Sequence, residues 1–276
     1  MLKTRIITAL VLLAVLLPVL FFNNFIAFAV VVTVFFGAAI WECFRLFRPE
    51  SAGALPISLA WSAAFAYASF VAPNAAPLFW FGISALIWLL RFAPSLKIGL
   101  PPLGSSGNTL LSMTYAVAIV ACFVAIVDLF RHSPLYLLSV MALVWIADIG
   151  AYFSGKAFGK RKLAPSISPG KSWEGAIGGA IAVVVLSVIA IVAGGDALAD
   201  TFGARVQARF GWAALVFILL VVAAASVVGD LFESQLKRRA GMKDSGKLLP
   251  GHGGVLDRID ALIPVLPLAA LIGHWL

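Results

Sequence analysis

Residues 211–239 read "GWAALVFILLVVAAASVVGDLFESQLKRR", an apolar run that ends in a cluster of charges. About 20 apolar residues are what a helix needs to cross the hydrocarbon core of a bilayer. Within that core each backbone polar group must find its partner inside the segment, so such a run must be helical. The stretch predicts a transmembrane helix over residues 211–232 with charges gathered at one end.

The rest of the chain has the same character. Of its 276 residues, 62% are hydrophobic and 12% are charged, whereas about a quarter of a soluble domain is charged. The net charge of +8 could suggest a nucleic-acid partner, but in a membrane protein it more often reflects Lys and Arg retained in cytoplasmic loops. Cys43 and Cys122 lie far apart in apolar segments, so they predict buried small side chains and no disulfide framework. We therefore predict an integral membrane protein without a nucleic-acid partner.

Apolar runs separated by turn residues predict an all-α polytopic membrane protein with about nine transmembrane helices. The candidate spans are residues 6–22, 25–44, 57–73, 77–93, 110–129, 134–154, 175–194, 211–232 and 260–276. With a cytoplasmic N-terminus, all but three of the 20 Lys and Arg residues fall on the inner side, the exceptions being Arg131, Arg205 and Arg209. This bias predicts an external C-terminus. We expect residues 1–133 to provide a scaffold and lipid access, and residues 134–276, with cytoplasmic loops 155–174 and 234–259, to be catalytic.

Several carboxylates lie where lipid is expected. Asp148 is well inside the predicted helix 134–154, where a charged side chain costs ~2.5–3.5 kcal/mol, so a functional role is favoured over a structural hydrogen bond. Asp230, Glu233 and Lys237 share one helix face, either as an ion-paired helix end or as one wall of an oxygen-ligand Mg²⁺ site. We favour the metal site. Its candidate ligands are Asp148, Asp230, Glu233, Asp257 and Asp260.

The loop 155–174 contains Gly170-Lys171-Ser172. A P-loop is excluded because residue 165 is Pro and no strand is predicted before the motif. Free N–H groups at the start of the next helix, with Lys171 and Ser172 beside them, still favour an anion. Gly175 and Gly179 predict close helix packing.

The loop that continues into "KDSGKLLPGHGGVLDRID", residues 243–260, is dense in glycine and charge. Glycines let backbone approach a ligand closely, and cations, carboxylates and exposed amides together predict a polyphosphate site. His252 could act as acid or base, as a phosphate donor or as a residue that orders the loop. The candidate substrate-binding residues are Lys171, Ser172, Ser234, Arg238, Asp244, Lys247, Gly251, Gly253 and Gly254.

A longer pattern runs through this region. Ser234-x-x-Lys237-Arg238, Lys243-Asp244-x-Gly246 and Pro250-Gly251-His252-Gly253-Gly254-x-x-Asp257-Arg258-Ile259-Asp260 together resemble the signature of the phosphatidate cytidylyltransferase (CDP-diacylglycerol synthase) family. "SPGKSWEG", residues 168–175, and the stretch from Ala147 to Gly155 are also similar to that family. The resemblance covers the C-terminal half, while the N-terminal helices match in hydropathy alone.

The resemblance implies that CTP and phosphatidic acid react to CDP-diacylglycerol and pyrophosphate, with Mg²⁺ and with or without a second cation. It implies an enzyme of phospholipid biosynthesis in the inner membrane, in contact with membrane lipids, with its site facing the cytoplasm; a homodimer is one assembly that it allows. On this basis the expected catalytic residues are Asp230, Asp257, Lys237, Lys243, His252 and Arg258.

Two other functions remain open. A CTP-dependent polyprenol kinase could share the architecture. An anion transporter is a different class, and it would call for polar residues along a path through the bilayer or for paired broken helices. Here the polar residues concentrate at one face and one end of the chain, which favours an enzyme.

Overall fold

The computed structural model describes Leu10, Ala14 and residues 18–48, 53–71 and 77–276. The first predicted span, residues 6–22, lies mostly outside the described residues, and each of the other eight corresponds to a helix. The helices are α1 (Phe25–Phe47), α2 (Ala54–Phe70), α3 (Pro77–Ile98, with a π-helical turn at Trp88–Phe92), α4 (Ser106–His132), α5 (Pro134–Phe158), α6 (Trp173–Gly194), α7 (Phe202–Arg239), α8 (Leu256–Ile259) and α9 (Leu262–Gly273).

Six of these helices, α1 and α3 to α7, are long and apolar enough to cross a membrane. Helices α2 and α9 are apolar but shorter, with 17 and 12 residues. At 1.5 Å per residue α9 is roughly 18 Å long, and most of it is buried between other helices. A helical polytopic membrane protein is thus confirmed, with six spans of full length in the described part of the chain where nine were predicted for the whole.

Short polar side chains define where the helices begin. Ser105, Ser133 and Ser172 precede α4, α5 and α6, and each hydroxyl accepts the N–H of the residue three positions later at 3.0–3.1 Å. These caps satisfy one of the N–H groups that a helix start leaves unpaired. In α7 the positive φ of Gly211, 81°, interrupts the helix, so its continuous part starts where the span was predicted to start.

A β-hairpin, which the sequence did not predict, joins α5 to α6. Strand β1 (Lys162–Ala164) pairs antiparallel with β2 (Ser168–Ser172), and Lys162 lies opposite Ser172. The expectation that no strand precedes Gly170-Lys171-Ser172 was therefore wrong. The hairpin lacks the alternation of apolar and polar residues by which strands are predicted. Pro165 lies between the two strands, so the segment still does not match a P-loop.

The basic segments come together at one end of the bundle. There Asn108 donates to the carbonyl of Phe47 at 3.1 Å, Gln235 donates to the carbonyl of Ser95 at 2.9 Å, and Arg239 donates to the carbonyl of Pro101 at 2.9 Å. These bonds join the ends of α1, α3, α4 and α7 that were predicted to share one side.

The opposite end of the bundle holds His132 and His274. His132 and Arg205 each lie within 3.0 Å of Asp200. His274 and the C-terminal Leu276 line the same pocket as His132. The chain thus ends at the end of the bundle away from the basic loops.

Small residues bring α5 and α6 into close contact. A Cβ added at Gly179 would lie 2.5 Å from the carbonyl oxygen of Ala147, and one at Gly175 would lie 2.9 Å from that of Ala151. Helices in lipid associate through such close van der Waals packing. The packing role predicted for Gly175 and Gly179 is confirmed.

We expect Gly179→Ala to lower the free energy of unfolding by about 1–3 kcal/mol, because the added methyl group overpacks the α5–α6 contact. Gly82→Ala is the matched control, since a Cβ there meets no heavy atom within 4 Å and Ala is the better helix former. Unfolding in detergent micelles, followed by circular dichroism, compares the two. Equal stability of the variants would contradict the close contact.

Candidate active site

An open cavity of about 390 Å³ lies between α5, β2, α6 and α7. Asp148 from α5, Lys171 and Ser172 from β2, and Asp230 from α7 all line it, beside Tyr152 and Lys156. Its remaining walls are small side chains such as Ala176, Ala180 and Ala223. We call this the helix cavity. Four of the predicted site residues from three separate segments meet here.

A charged pair crosses the helix cavity. The Lys171 ammonium group forms an ion pair with Asp230 Oδ2, and the Ser234 hydroxyl donates to Asp230 Oδ1 at 3.3 Å. Asp148 also interacts electrostatically with both Lys171 and Asp230. The hairpin places Lys171 beside Asp148 and Asp230, because it turns the chain back over the ends of α5 and α7.

A second charged cluster surrounds Lys237, two turns beyond Asp230 on α7 and roughly 10 Å along the helix axis. Its ammonium nitrogen lies 2.6 Å from Asp257 Oδ1 and 3.0 Å from Glu233 Oε1. Glu233 is fully buried and the Lys237 side chain is 12% exposed. The ion pair between Glu233 and Lys237, which the alternative of a solvated helix end predicted, is present, but it lies inside the protein and not in solvent.

Asp257 also holds the backbone of the loop that joins α7 to α8. Its Oδ2 atom accepts the Ser245 N–H at 2.8 Å, the Ser245 hydroxyl at 2.9 Å and the Gly254 N–H at 2.8 Å. Burial alone would raise the pKa of Asp257, but the bonds from Lys237 and from these backbone groups outweigh it and hold the pKa below its usual value. Asp257 is thus an ionised anchor that joins α7 to both arms of the loop.

The loop itself encloses a larger pocket of about 890 Å³, which we call the loop pocket. It is lined by predicted site residues, namely Lys243, Asp244, Lys247, Gly251, His252, Gly253 and Arg258. Gly253 has φ of 84°, a conformation that favours glycine. Its carbonyl accepts the Leu249 N–H at 2.9 Å, which closes the turn around His252. Three cations and a histidine on one open wall suit a polyanionic ligand.

Three predicted substrate-binding residues, Ser234, Arg238 and Gly254, have structural partners and line neither space. Ser234 contacts Asp230, as described above, and the Arg238 guanidinium lies 3.4 Å from the carbonyl of Ile167. Arg238 therefore ties α7 to the hairpin. Gly254 is buried, and its N–H donates a hydrogen bond to Asp257 Oδ2.

The predicted metal ligands divide into two groups. Asp148 and Asp230 share the helix cavity, while Glu233 and Asp257 surround Lys237. Asp260 interacts electrostatically with Asp230 and Lys237, and so connects the groups. Across the described part of the chain, no three Asp, Glu, His or Cys residues gather closely enough to hold an ion by themselves.

Sequence reasoning missed Glu42 and Ser245. Glu42 lies on α1, fully buried, and its Oε2 accepts the Leu256 N–H at 2.8 Å and lies 3.2 Å from the Ser245 hydroxyl oxygen. An acid within an apolar span is a functional candidate by default. The rule that singled out Asp148 applied equally to Glu42, and it would have found this residue.

We expect Lys237→Met to lower the free energy of unfolding by about 3–5 kcal/mol, because Glu233 and Asp257 would be left as buried, uncompensated carboxylates. Lys97→Met is the matched control, since Lys97 is exposed on α3. Denaturant titration of the purified proteins in micelles measures both. A Lys237→Met protein as stable as the control would rule out the buried ion pair.

The sequence is also similar to known proteins. The model of the Cytidylyltransferase family matches residues 3–276. The chain is 40% identical over 276 residues to the phosphatidate cytidylyltransferase of Pseudomonas aeruginosa, which covers 99% of this chain and 97% of that protein.

Other relatives match over shorter regions. The Haemophilus influenzae phosphatidate cytidylyltransferase is 45% identical over 197 residues, 68% of this chain and 63% of that protein. That of Brucella suis is 50% identical over 134 residues, 49% of this chain and 45% of that protein. Because the family model matches residues 3–276, this chain belongs to the cytidylyltransferase family.

Proposed function

We propose that this protein is an inner-membrane enzyme that transfers the cytidylyl group of CTP to phosphatidic acid and releases pyrophosphate. One observation carries the proposal: in a chain of the cytidylyltransferase family, a lysine-lined cavity between membrane helices lies beside a cation-lined pocket in a polar loop. A lipid phosphate and a nucleotide triphosphate are the two anions that this pair of spaces suits.

We assign the lipid to the helix cavity and the nucleotide to the loop pocket. The helix cavity combines Lys156 and Lys171 with apolar walls on membrane helices, as a headgroup with attached acyl chains requires. The loop pocket is larger and carries Lys243, Lys247, His252 and Arg258, which suits a triphosphate. On one face of α7, Asp230 lines the helix cavity and Lys237 pairs with Asp257, the neighbour of the pocket-lining Arg258.

The chemistry requires positioning more than a strong base. A phosphate oxygen of phosphatidic acid, already anionic at neutral pH, attacks the α-phosphorus of CTP. The bond between the α-phosphorus and the bridging oxygen breaks, and pyrophosphate leaves with the electron pair. Cations lining both spaces offset the repulsion between the two anions and the charge on the leaving group, as in other phosphoryl transfers.

A divalent cation fits one of the two acidic groups. Mg²⁺ is commonly bound by one or two carboxylates together with phosphate oxygens of the substrate and water. Asp148 and Asp230 offer two carboxylates in the helix cavity, so we propose them as the Mg²⁺ ligands. Glu233 and Asp257 suit the role less well because they are buried against Lys237, with side chains 0% and 4% exposed, whereas Asp230, although paired with Lys171, is 29% exposed. The ion would supply positive charge at the transferring phosphate.

The proposal is tested with the purified protein in mixed micelles that contain phosphatidic acid, and with CTP labelled in either its α- or its γ-phosphate. We expect the α-label to appear in the lipid product and the γ-label in pyrophosphate, with activity lost on chelation of divalent cations. Transfer of the γ-label to a lipid would instead identify a CTP-dependent kinase and contradict the proposal.

In the same assay we expect Asp230→Asn to lose at least about 100-fold in kcat, as is typical when a group that supports transition-state charge is removed. Asp196→Asn is the matched control, since Asp196 is exposed at the other end of the bundle. Comparable activity of the two variants would remove Asp230 from the site.

We also propose that the end of the bundle with the basic loops faces the cytoplasm, on the strength of the charge bias. The native cysteines are buried, so a single introduced cysteine can report sidedness. In intact spheroplasts a membrane-impermeant thiol reagent should label Asp196→Cys and should reach Lys160→Cys only after permeabilisation. Labelling of Lys160→Cys in intact cells would reverse the orientation. The homodimer stays a proposal that rests on the resemblance.

A further inference from the structure

A residue from the N-terminal half of the chain, Glu42, holds the loop pocket in place. Glu42 lies on α1, more than 200 residues before the loop in sequence, in a part of the protein to which the sequence assigned only a scaffold role. It is fully buried within a membrane-spanning helix. An acid there is costly to retain unless the protein uses it.

The contacts of Glu42 all lead into the loop. Its Oε2 atom accepts the Leu256 N–H at 2.8 Å and lies 3.2 Å from the Ser245 hydroxyl oxygen, whose one hydrogen is shared with Asp257. In sequence, Ser245 lies between the pocket-lining residues Asp244 and Gly246, and Leu256 lies between Gly253 and Arg258. One carboxylate thereby fixes both arms of the loop to a rigid helix.

The loop backbone closes tightly around this carboxylate. A Cβ added at Gly246 would lie 2.1 Å from Glu42 Oε1, and one at Gly254 would lie 2.4 Å from both carboxylate oxygens. Gly246 and Gly254 are therefore needed as glycines to make room for Glu42. This gives two signature glycines a physical reason that is independent of any ligand.

Ser245 extends the effect of Glu42 to the charged cluster. The same hydroxyl that faces Glu42 lies 2.9 Å from Asp257 Oδ2, and Asp257 in turn pairs with Lys237. Arg258, which follows Asp257 in the chain, lines the loop pocket. A shift of Glu42 would therefore move Asp257 and the cations of the loop pocket, while Asp148, Lys171 and Asp230 stay on other elements.

We propose that Glu42 is a positioning residue that sets the shape of the loop pocket, and thereby the binding of the nucleotide triphosphate, through Ser245 and Leu256. The inference rests on the proposed function for the identity of the ligand. The placement of the loop by Glu42 can be tested without reference to any reaction.

The test compares Glu42→Met, Glu42→Gln and Ser245→Ala with a buried-serine control, Ser58→Ala, whose hydroxyl bonds within its own helix. We expect Glu42→Met and Ser245→Ala to raise the KM for CTP at least about tenfold, equivalent to about 1.4 kcal/mol. The KM for phosphatidic acid should change less than about twofold. Glu42→Gln retains an acceptor oxygen and should recover most of the affinity for CTP.

Hydrogen exchange of substrate-free protein gives a readout that is independent of activity. Peptides containing Gly254 and Leu256 should exchange at least about tenfold faster in Glu42→Met than in wild type, while peptides from α5 and α6 should be unchanged. Unchanged loop exchange would overturn the proposal, as would a loss of kcat with both KM values unaltered. If Glu42→Met does not fold, the same criteria apply to Ser245→Ala, while Glu42→Gln should stay close to wild type. A failure of cytidylyl transfer in wild type would leave the exchange result intact, so the two proposals can fail separately.

Discussion

The structure depends on the buried carboxylate of Asp257, both of whose oxygens accept hydrogen bonds. Asp257 binds Lys237 through one oxygen and three donors from Ser245 and Gly254 through the other. A buried charge is tolerated only where such partners replace water. Because its partners come from α7 and from both arms of the loop, satisfying this one charge also determines where the loop lies. The polar end of an otherwise apolar protein is ordered by that requirement.

Helix packing supplies the second constraint. Glycines at the α5–α6 contact let the two backbones approach closely, and the hairpin between them turns Lys171 towards Asp230. The helix cavity is what remains between α5, α6 and α7 at that end. The close packing of small residues thus leaves a cavity with largely apolar walls, in which Asp148, Lys171 and Asp230 are the charged groups beside Lys156.

The sequence predicted the apolar helices that a bilayer requires, but it did not predict contacts between residues that are distant in sequence. Eight of the predicted spans were found as helices because an apolar segment has no other way to satisfy its backbone in a bilayer. The Lys162–Ser172 hairpin was missed, since its strands lack apolar alternation. Asp257 was predicted as a site residue, but its role as a loop anchor depends on Ser245 and Gly254, whose approach no spacing rule reveals. Glu42 was within reach of the rule for intramembrane acids and was overlooked.

The bonds to Asp257 and Glu42 fix the loop in the protein before substrate binds. The most direct measurement is amide hydrogen exchange of the substrate-free protein, resolved at single residues. The N–H groups of Ser245, Gly254 and Leu256, which donate to Asp257 and Glu42, should exchange at least about 100-fold more slowly than that of exposed Lys247, since exchange requires local opening. Equal, rapid exchange at all four positions would show a loop that orders only around its ligand, and would contradict the account.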